Sequence, residues 1–452
     1  ALAAALAFSP APTQADISGT PAEVASGLST PWETQPLPDG RIILTELPGR
    51  VRIIQNGSLL PTPALDQVGS VRKFLGLALD PGFSSNAYVY LYVGYGSGCS
   101  SDPGTTGCKN RITRYTLSGN TLGSPLTIYD NIPSDGNHDG GRIKFGPDGK
   151  LYTTTGDIHN PALPQDLDSN NGKILRMNAD GSVPAGNPFA GSGARQYVWS
   201  YGHRHPQGIA WDAEGRLFET EHGPSGESYA GGRCCRDEVN LITPGANYGW
   251  PTYMAGDAHP PGYTAPIATS GTSATWAPSG AAIGADGKLY VPTLSTSAAG
   301  HRILAFSLNG GSITGQTEHF AGTYGRLRTT TVSGTDLYFN TSNNTSNEKI
   351  YRVTVSAAPY AAQWVRQSVS PPIASGDRSS AQLSVDFRNT GSETWSNTTN
   401  PVRLAPSSPR DRNSPFHDSG WLSFNRVATF AGRVESDGTT VSPVGSIAPG
   451  EV

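Results

Sequence analysis

Charge is scarce in this chain. Only 15% of its 452 residues are Asp, Glu, Lys or Arg, and the formal net charge is −4. It has no basic run, so it lacks the electrostatic footprint of a nucleic-acid binder. Long stretches of Leu, Glu, Lys and Ala at helical spacing are missing, which argues against a helical bundle. Past the N-terminus, no segment approaches the roughly 18 apolar residues of a membrane helix, so no membrane span is expected. Cysteine is rare too, with 4 in all, and no CxxC spacing accompanies them, so nothing points to zinc.

What abounds is turn chemistry, with 55 Gly and 36 Pro. That is a loop-rich globular composition, long enough for more than one domain. The opening ALAAALAFSPAPTQADISG has an apolar core and then a small-x-Ala site at Thr13-Gln14-Ala15. Residues 1–15 are therefore expected to be the remnant of a secretory signal, and the protein to be secreted and soluble. A disordered Ala/Pro leader is the alternative. Cys99 and Cys108 bracket the polar loop CSSDPGTTGC, which suits a local disulfide. Cys234 and Cys235 are adjacent, and the sequence leaves open a vicinal bond or separate pairings.

One phrase recurs: a Gly-containing turn, then a short run of β-branched and aromatic residues. It appears as LPDGRIILTEL from Leu37, LDPGFSSNAYVYLYVGY from Leu79, GPDGKLYTTTGD from Gly146, WDAEGRLFETEHG from Trp211, GADGKLYVPTL from Gly284 and VSGTDLYFNTS from Val332. Asp-Gly supplies the positive φ of a tight turn, and alternation marks the strand. Six copies at roughly 40- to 75-residue intervals predict an all-β, six-bladed propeller over 16–355. After a linker over 356–363, residues 364–452 change texture. Short alternating strands there predict a small immunoglobulin-like β-sandwich with Trp364, Trp395 and Trp421 in or near its core. NTGSETWS resembles the Nbr1-like, four-tryptophan domains appended to exported bacterial proteins, and the ending APGEV is read as an incomplete sandwich. Contact with cell wall or polysaccharide is the partner expected of it.

Four clusters could carry chemistry. His138 lies in a Gly-rich loop before one strand, and Asp157 ends the next strand of the same hairpin. A carboxylate on the second imidazole nitrogen fixes a base's tautomer. Alone, such a pair in a Gly-rich loop is more often just part of a polar loop. In YGHRHPQGIAW, Arg204 sits between His203 and His205, suited to an anionic or electron-rich ligand or to a plain ion pair. Gly223-Pro224 offers carbonyls in a stretch holding Glu221, Glu227, Asp237 and Glu238, an oxygen set that suits Ca²⁺ or a solvated acidic loop. Arg326 and Arg328 share one side of a strand and could grip carboxylates or lie on the surface.

In order, FLGLALDPGF, HDGGRIKFGPDGKLYTTTGD, NNGKILRMNADGSVPAGNPF, GHRHPQGIAW, EHGP with DEVNLITPGANYGWP, and GRLRT resemble the soluble quinoprotein glucose/sorbosone dehydrogenases over about Leu37 to Val355. These are six-bladed propellers holding pyrroloquinoline quinone (PQQ) and calcium. The resemblance implies an oxidoreductase that takes the anomeric C1 hydroxyl of an aldose to a lactone, passing electrons to an external acceptor. It implies His138 as base, Asp157 as its orienting carboxylate and Arg204 beside the quinone carbonyl. It implies Arg204, His205, Arg326 and Arg328 as cofactor contacts and the carbonyls of Gly223 and Pro224 as calcium ligands. The chain departs from the family pattern at three places. His205 replaces Asn, Val71-Arg72-Lys73 replaces a Gln/Glu-Gly segment, and TLSTSAAGHRI lacks a Lys. The rival readings are a non-catalytic propeller binding carbohydrate or a protein, and a metal-dependent lactonase.

Overall fold

The computed structural model describes residues 17–99, 107–295 and 300–355. Past Val355 it describes only paired strands, the longest being Ala362–Ser370 with Gln382–Asn389. The expected signal remnant over 1–15, the linker and most of the expected sandwich over 364–452 lie outside the described residues. The chain divides into two compact units, of which Ser18–Thr354 is one.

That unit is a six-bladed β-propeller, as the repeat predicts. Blade 1 holds strands Pro31–Pro36, Ile42–Glu46, Arg50–Gln55 and Ser58–Leu59. Blade 2 holds Lys73–Leu79, Tyr88–Tyr95, Lys109–Ser118 and Thr121–Pro133. Blade 3 holds Ile143–Phe145, Leu151–Thr155, Lys173–Met177 and Val198–Tyr201. Blade 4 holds Pro206–Trp211, Leu217–Glu221, Glu238–Ile242 and Ala268–Thr269. Blade 5 holds Ala282–Ile283, Leu289–Pro292, Ile303–Asn309 and Ser312–His319. Blade 6 holds Leu327–Ser333, Asp336–Thr341 and Glu348–Val355, and its outer strand is the N-terminal Ile17–Leu28. The two ends of the unit thus meet in one sheet, which closes the ring and leaves only the short outer edges of the blades.

Each of the six phrases is the turn between a blade's first and second strands. In blade 3, Asp148 Oδ1 accepts the Lys150 N–H at 3.0 Å and Oδ2 accepts the Tyr152 hydroxyl at 2.9 Å. Asp286 repeats this with Lys288 and Tyr290 in blade 5. The strand that follows lies between two neighbouring blades. In blades 1, 3 and 4 it is buried along its whole length, so it reads as a continuous buried run. First strands of neighbouring blades pack on one another around the axis at most of the blade junctions, and blade 6 returns to blade 1. Backbones approach closely there: a Cβ on Gly76 would lie 2.4 Å from the Gly141 carbonyl oxygen, so only glycine fits.

Cys99 and Cys108 are bonded, as the spacing suggested. Cys234 and Cys235 are unbonded thiols with their sulfurs 2.7 Å apart, so neither pairing left open by the sequence is formed. Among the described residues, no helix is long and apolar enough to cross a membrane.

Candidate active site

The blade 3 hairpin carries the first pair. His138 precedes its first strand, Asp157 follows its second, and both ends reach one rim. His138 Nδ1 lies 2.7 Å from Asp157 Oδ1. A carboxylate only accepts, so the ring proton sits on Nδ1 and Nε2 keeps its lone pair. Asp157 is itself held from three sides. Its Oδ2 accepts the Trp250 indole N–H at 2.8 Å, and Oδ1 also accepts the His159 amide at 3.0 Å. Its own N–H donates to the Arg204 carbonyl at 2.7 Å.

The electrostatics push the pair apart. Burial lowers the His138 pKa below its ordinary value; the Asp157 hydrogen bond opposes this, while Arg204 and His159 add to it. Burial alone would raise Asp157, but the His138 hydrogen bond, then the charges of His138 and Arg204, hold it below the usual carboxylate value. The result is a neutral imidazole on a fixed carboxylate.

His138 is sandwiched. The His159 ring stacks on it at 3.8 Å between centroids, and the His205 ring at 4.8 Å. His222 meets His205 edge-on at 5.1 Å. Burial depresses the His205 pKa far below normal, with the His138 charge next in weight.

Arg204 is 2% exposed. It pairs with Glu227, donates to the His222 carbonyl at 3.3 Å and lies over the Trp250 ring at 5.5 Å. Glu221 accepts the Arg204 amide and the His203 Nδ1–H, the latter at 2.8 Å. So His203 is absorbed in supporting Arg204. Arg204 Nε, His205 Nδ1 and His222 Nε2 are buried and have no hydrogen-bond partner among the described residues. Three unsatisfied polar atoms around one guanidinium are costly unless a polar ligand meets them.

Gly223 and Pro224 follow the second strand of blade 4 and line a cavity with Arg204, Glu221, His222 and Glu238. Asp237 fixes this turn by accepting the Gly223 N–H at 2.9 Å. Arg326 and Arg328 sit at the start of the first strand of blade 6. Arg326 Nε donates to the Leu294 carbonyl and Arg328 Nε to the Ser342 hydroxyl, both at 3.1 Å. Burial, then Arg326 and Arg142, pull the Arg328 pKa down to about 9. Crowded guanidiniums of this kind favour an anionic ligand. The structure thus gathers His138, Asp157, Arg204 and His205 directly; Arg326 and Arg328 lie together on blade 6, bonded to Leu294 and Ser342, with no direct contact to that group among the described residues.

Sequence reasoning missed Trp250 and His159, and it read Glu227 as part of an oxygen set suited to Ca²⁺, whereas in the fold Glu227 pairs with Arg204. NYGWP lies in a familiar phrase, but nothing local shows that Trp250 reaches Asp157, 93 residues away. It also missed Lys173. That ammonium is buried and donates to the carbonyls of Leu163, Pro164 and Asn171 at 2.8, 3.0 and 2.7 Å. These carbonyls belong to the loop that follows Asp157. Burial lowers the Lys173 pKa from 10.5 to about 7, against the opposing charge of Asp166. Between those values the unfolded chain binds more protons than the folded one, so stability rises with pH across the window. Lys173→Met should flatten that rise, by at most about 1.4 kcal/mol per pH unit. Lys144, lowered to about 8, leaves its own share. Melting temperatures between pH 7 and 10 check this; an unchanged slope would mean that Lys173 does not titrate there.

The sequence profile described as Glucose / Sorbosone dehydrogenase matches residues 28–352. A PQQ-bound aldose sugar dehydrogenase from Streptomyces coelicolor has a similar structure, with 34% identity and a TM-score of 0.63. The match covers 74% of this chain and 96% of that one. Quinoprotein glucose dehydrogenase B of Acinetobacter calcoaceticus is 33% identical over 273 residues, 53% of this chain and 54% of that protein. An aldose sugar dehydrogenase of Escherichia coli is 34% identical over 235 residues, 50% and 59% of the respective chains. The chain thus spans little more than half the length of these curated relatives. With the matched profile covering most of its length, the chain belongs to the glucose/sorbosone dehydrogenase family.

Proposed function

We propose that this protein is an exported aldose dehydrogenase that uses PQQ and calcium and converts the anomeric hydroxyl of a sugar to a lactone. The observation that carries this reading is the His138–Asp157 dyad, set beside a buried Arg204 whose Nε is unsatisfied. The named activities of the relatives from Streptomyces, Acinetobacter and Escherichia agree with it. Export rests on the leader-like opening of the sequence.

The residues present fit the cofactor. Arg326 and Arg328 suit its carboxylates, and Arg204 and His205 bring unsatisfied polar atoms to its polar edge. The Gly223 and Pro224 carbonyls are hard oxygen ligands suited to Ca²⁺. When bound, PQQ supplies a two-electron acceptor for hydride. The chain's own part is proton transfer and orientation. His138 Nε2 takes the proton of the C1 hydroxyl. Asp157 keeps the ring proton on Nδ1 and stabilises the imidazolium that forms. Arg204 offers fixed positive charge where negative charge develops. Stacking by His159 and His205 holds the plane of the base.

The test is dye reduction by purified apo-protein across a panel of aldoses, with PQQ and Ca²⁺ added singly and together. Turnover that requires both is the expected result. In the same assay Arg328→Ala should raise the PQQ concentration needed by about tenfold or more, the scale of a lost charge-assisted hydrogen bond. PQQ binding without turnover of any aldose would favour a non-catalytic sugar- or protein-binding propeller. Failure to bind PQQ would remove the cofactor assignment.

A further inference from the structure

We propose that Lys73 is a positioning residue for the base, clamping both flanks of the loop that presents His138. The kinetic part of this proposal rests on the dehydrogenase reading above; the structural part does not.

His138 sits at φ +46°, in the left-handed region, among the positive-φ glycines Gly136, Gly140 and Gly141. A non-glycine residue there is strained by roughly 1 kcal/mol or more and persists only where its surroundings over-determine it. The grip comes from blade 2. Lys73, on the first strand of that blade, donates to the Gly136 carbonyl at 3.0 Å and forms an ion pair with Asp139. These contacts lie two residues before His138 and one after it. Asn110 on the third strand donates to the other Asp139 oxygen at 3.0 Å, and the Tyr92 hydroxyl donates to the Asp139 carbonyl at 3.3 Å. Arg72 adds a bond to the Ser134 hydroxyl at 2.9 Å. The blade makes room for this. A Cβ on Gly94 would lie 2.7 Å from Lys73 Cγ, so the neighbouring strand needs glycine for the side chain to pass.

Lys73 and Asp139 are 9% and 3% exposed. A buried pair of this kind adds little net stability over an apolar pair of equal volume. What it does fix is geometry, because the bond to the Gly136 carbonyl and the ion pair with Asp139 together define where the loop can lie.

The experiment compares Lys73→Met with the double variant Lys73→Met/Asp139→Asn. Lys73→Met leaves Asp139 buried and unpaired, so it should lower the melting temperature. It should also lower kcat by about a hundredfold, the scale of a base misplaced by an ångström, with KM within about twofold. The double variant removes the stranded charge and should recover the melting temperature, while Gly136 stays unheld and kcat stays low. Hydrogen exchange of the amides from 137 to 141 in the apo-protein should quicken roughly tenfold in both variants. Recovery of kcat together with stability would overturn the proposal and leave a charge pair of structural value only. Unchanged exchange would overturn it as well. A wild-type enzyme inactive on every aldose would sink the dehydrogenase reading, and the exchange data would still decide the clamp.

Discussion

His138→Ala should lower kcat/KM for aldose oxidation by about a thousandfold, within the range of lost general bases. PQQ binding should change little, while the melting temperature should fall modestly, because buried Asp157 loses its imidazole partner and keeps the Trp250 indole and the His159 amide. The reason for so large an effect lies in the tautomer. Asp157 is ionised and holds the Nδ1 proton, so Nε2 is the base at any pH above the His138 pKa. Burial and Arg204 keep that pKa low. At neutral pH the base is therefore unprotonated, and kcat/KM should fall only as acid brings the proton back, below the ordinary histidine range. Asp157→Asn gives a matching test. An amide can donate to Nδ1 and would favour the wrong tautomer, so a loss of comparable size is expected with the ring still present. Steady-state kinetics on reconstituted enzyme check both. His138→Ala retaining more than about a tenth of wild-type activity would remove His138 as the base.

The His138–Asp157 pair was legible because its partners share one hairpin, 19 residues apart, and strand ends in a hairpin meet. The propeller was legible for the same local reason. Each Gly turn and strand is a short-range signal, and all six phrases fall at the same place in a blade. The contacts that complete the site are long-range. Trp250 comes from the long connection between the third and fourth strands of blade 4, and Lys73 reaches Asp139 across 66 positions. Neither has a local signature. In the sequence Lys73 is simply one residue of the Val71-Arg72-Lys73 departure, and nothing local shows that it turns onto Asp139. The adjacent cysteines show the limit from the other direction. Their spacing permits a vicinal bond, and the folded chain keeps them unbonded. Most of the sandwich expected over 364–452 lies outside the described residues.

Glu33→Ala should destabilise the propeller by about 3–5 kcal/mol, the cost of stranding a buried charge. The charge it would strand is Arg142, which is fully buried and stacks on Trp32 at 4.0 Å. Arg142 pairs with Glu33, while its Nε donates to the Gln207 carbonyl at 2.8 Å and Nη1 to the Thr329 hydroxyl at 3.3 Å. Thr329 in turn donates to Glu33 at 3.0 Å. One guanidinium thereby joins the first strands of blades 1, 4 and 6 to the start of blade 3. Six separate sheets share this axis, so losing its counter-charge should be felt as loss of cooperativity and not merely as a local cavity. Urea unfolding of Glu33→Ala should show a lower midpoint. Glu33→Leu with Arg142→Met should recover most of it, because a matched apolar pair removes both charges. The same change carries over to the site. Arg142 is one of the charges that depress Arg328, so freeing it of Glu33 adds to the local positive field. Glu33→Ala should then bind PQQ at least as tightly as wild type while folding less stably. Weaker binding and lower stability moving together would instead mean that the axial pair shapes the pocket mechanically.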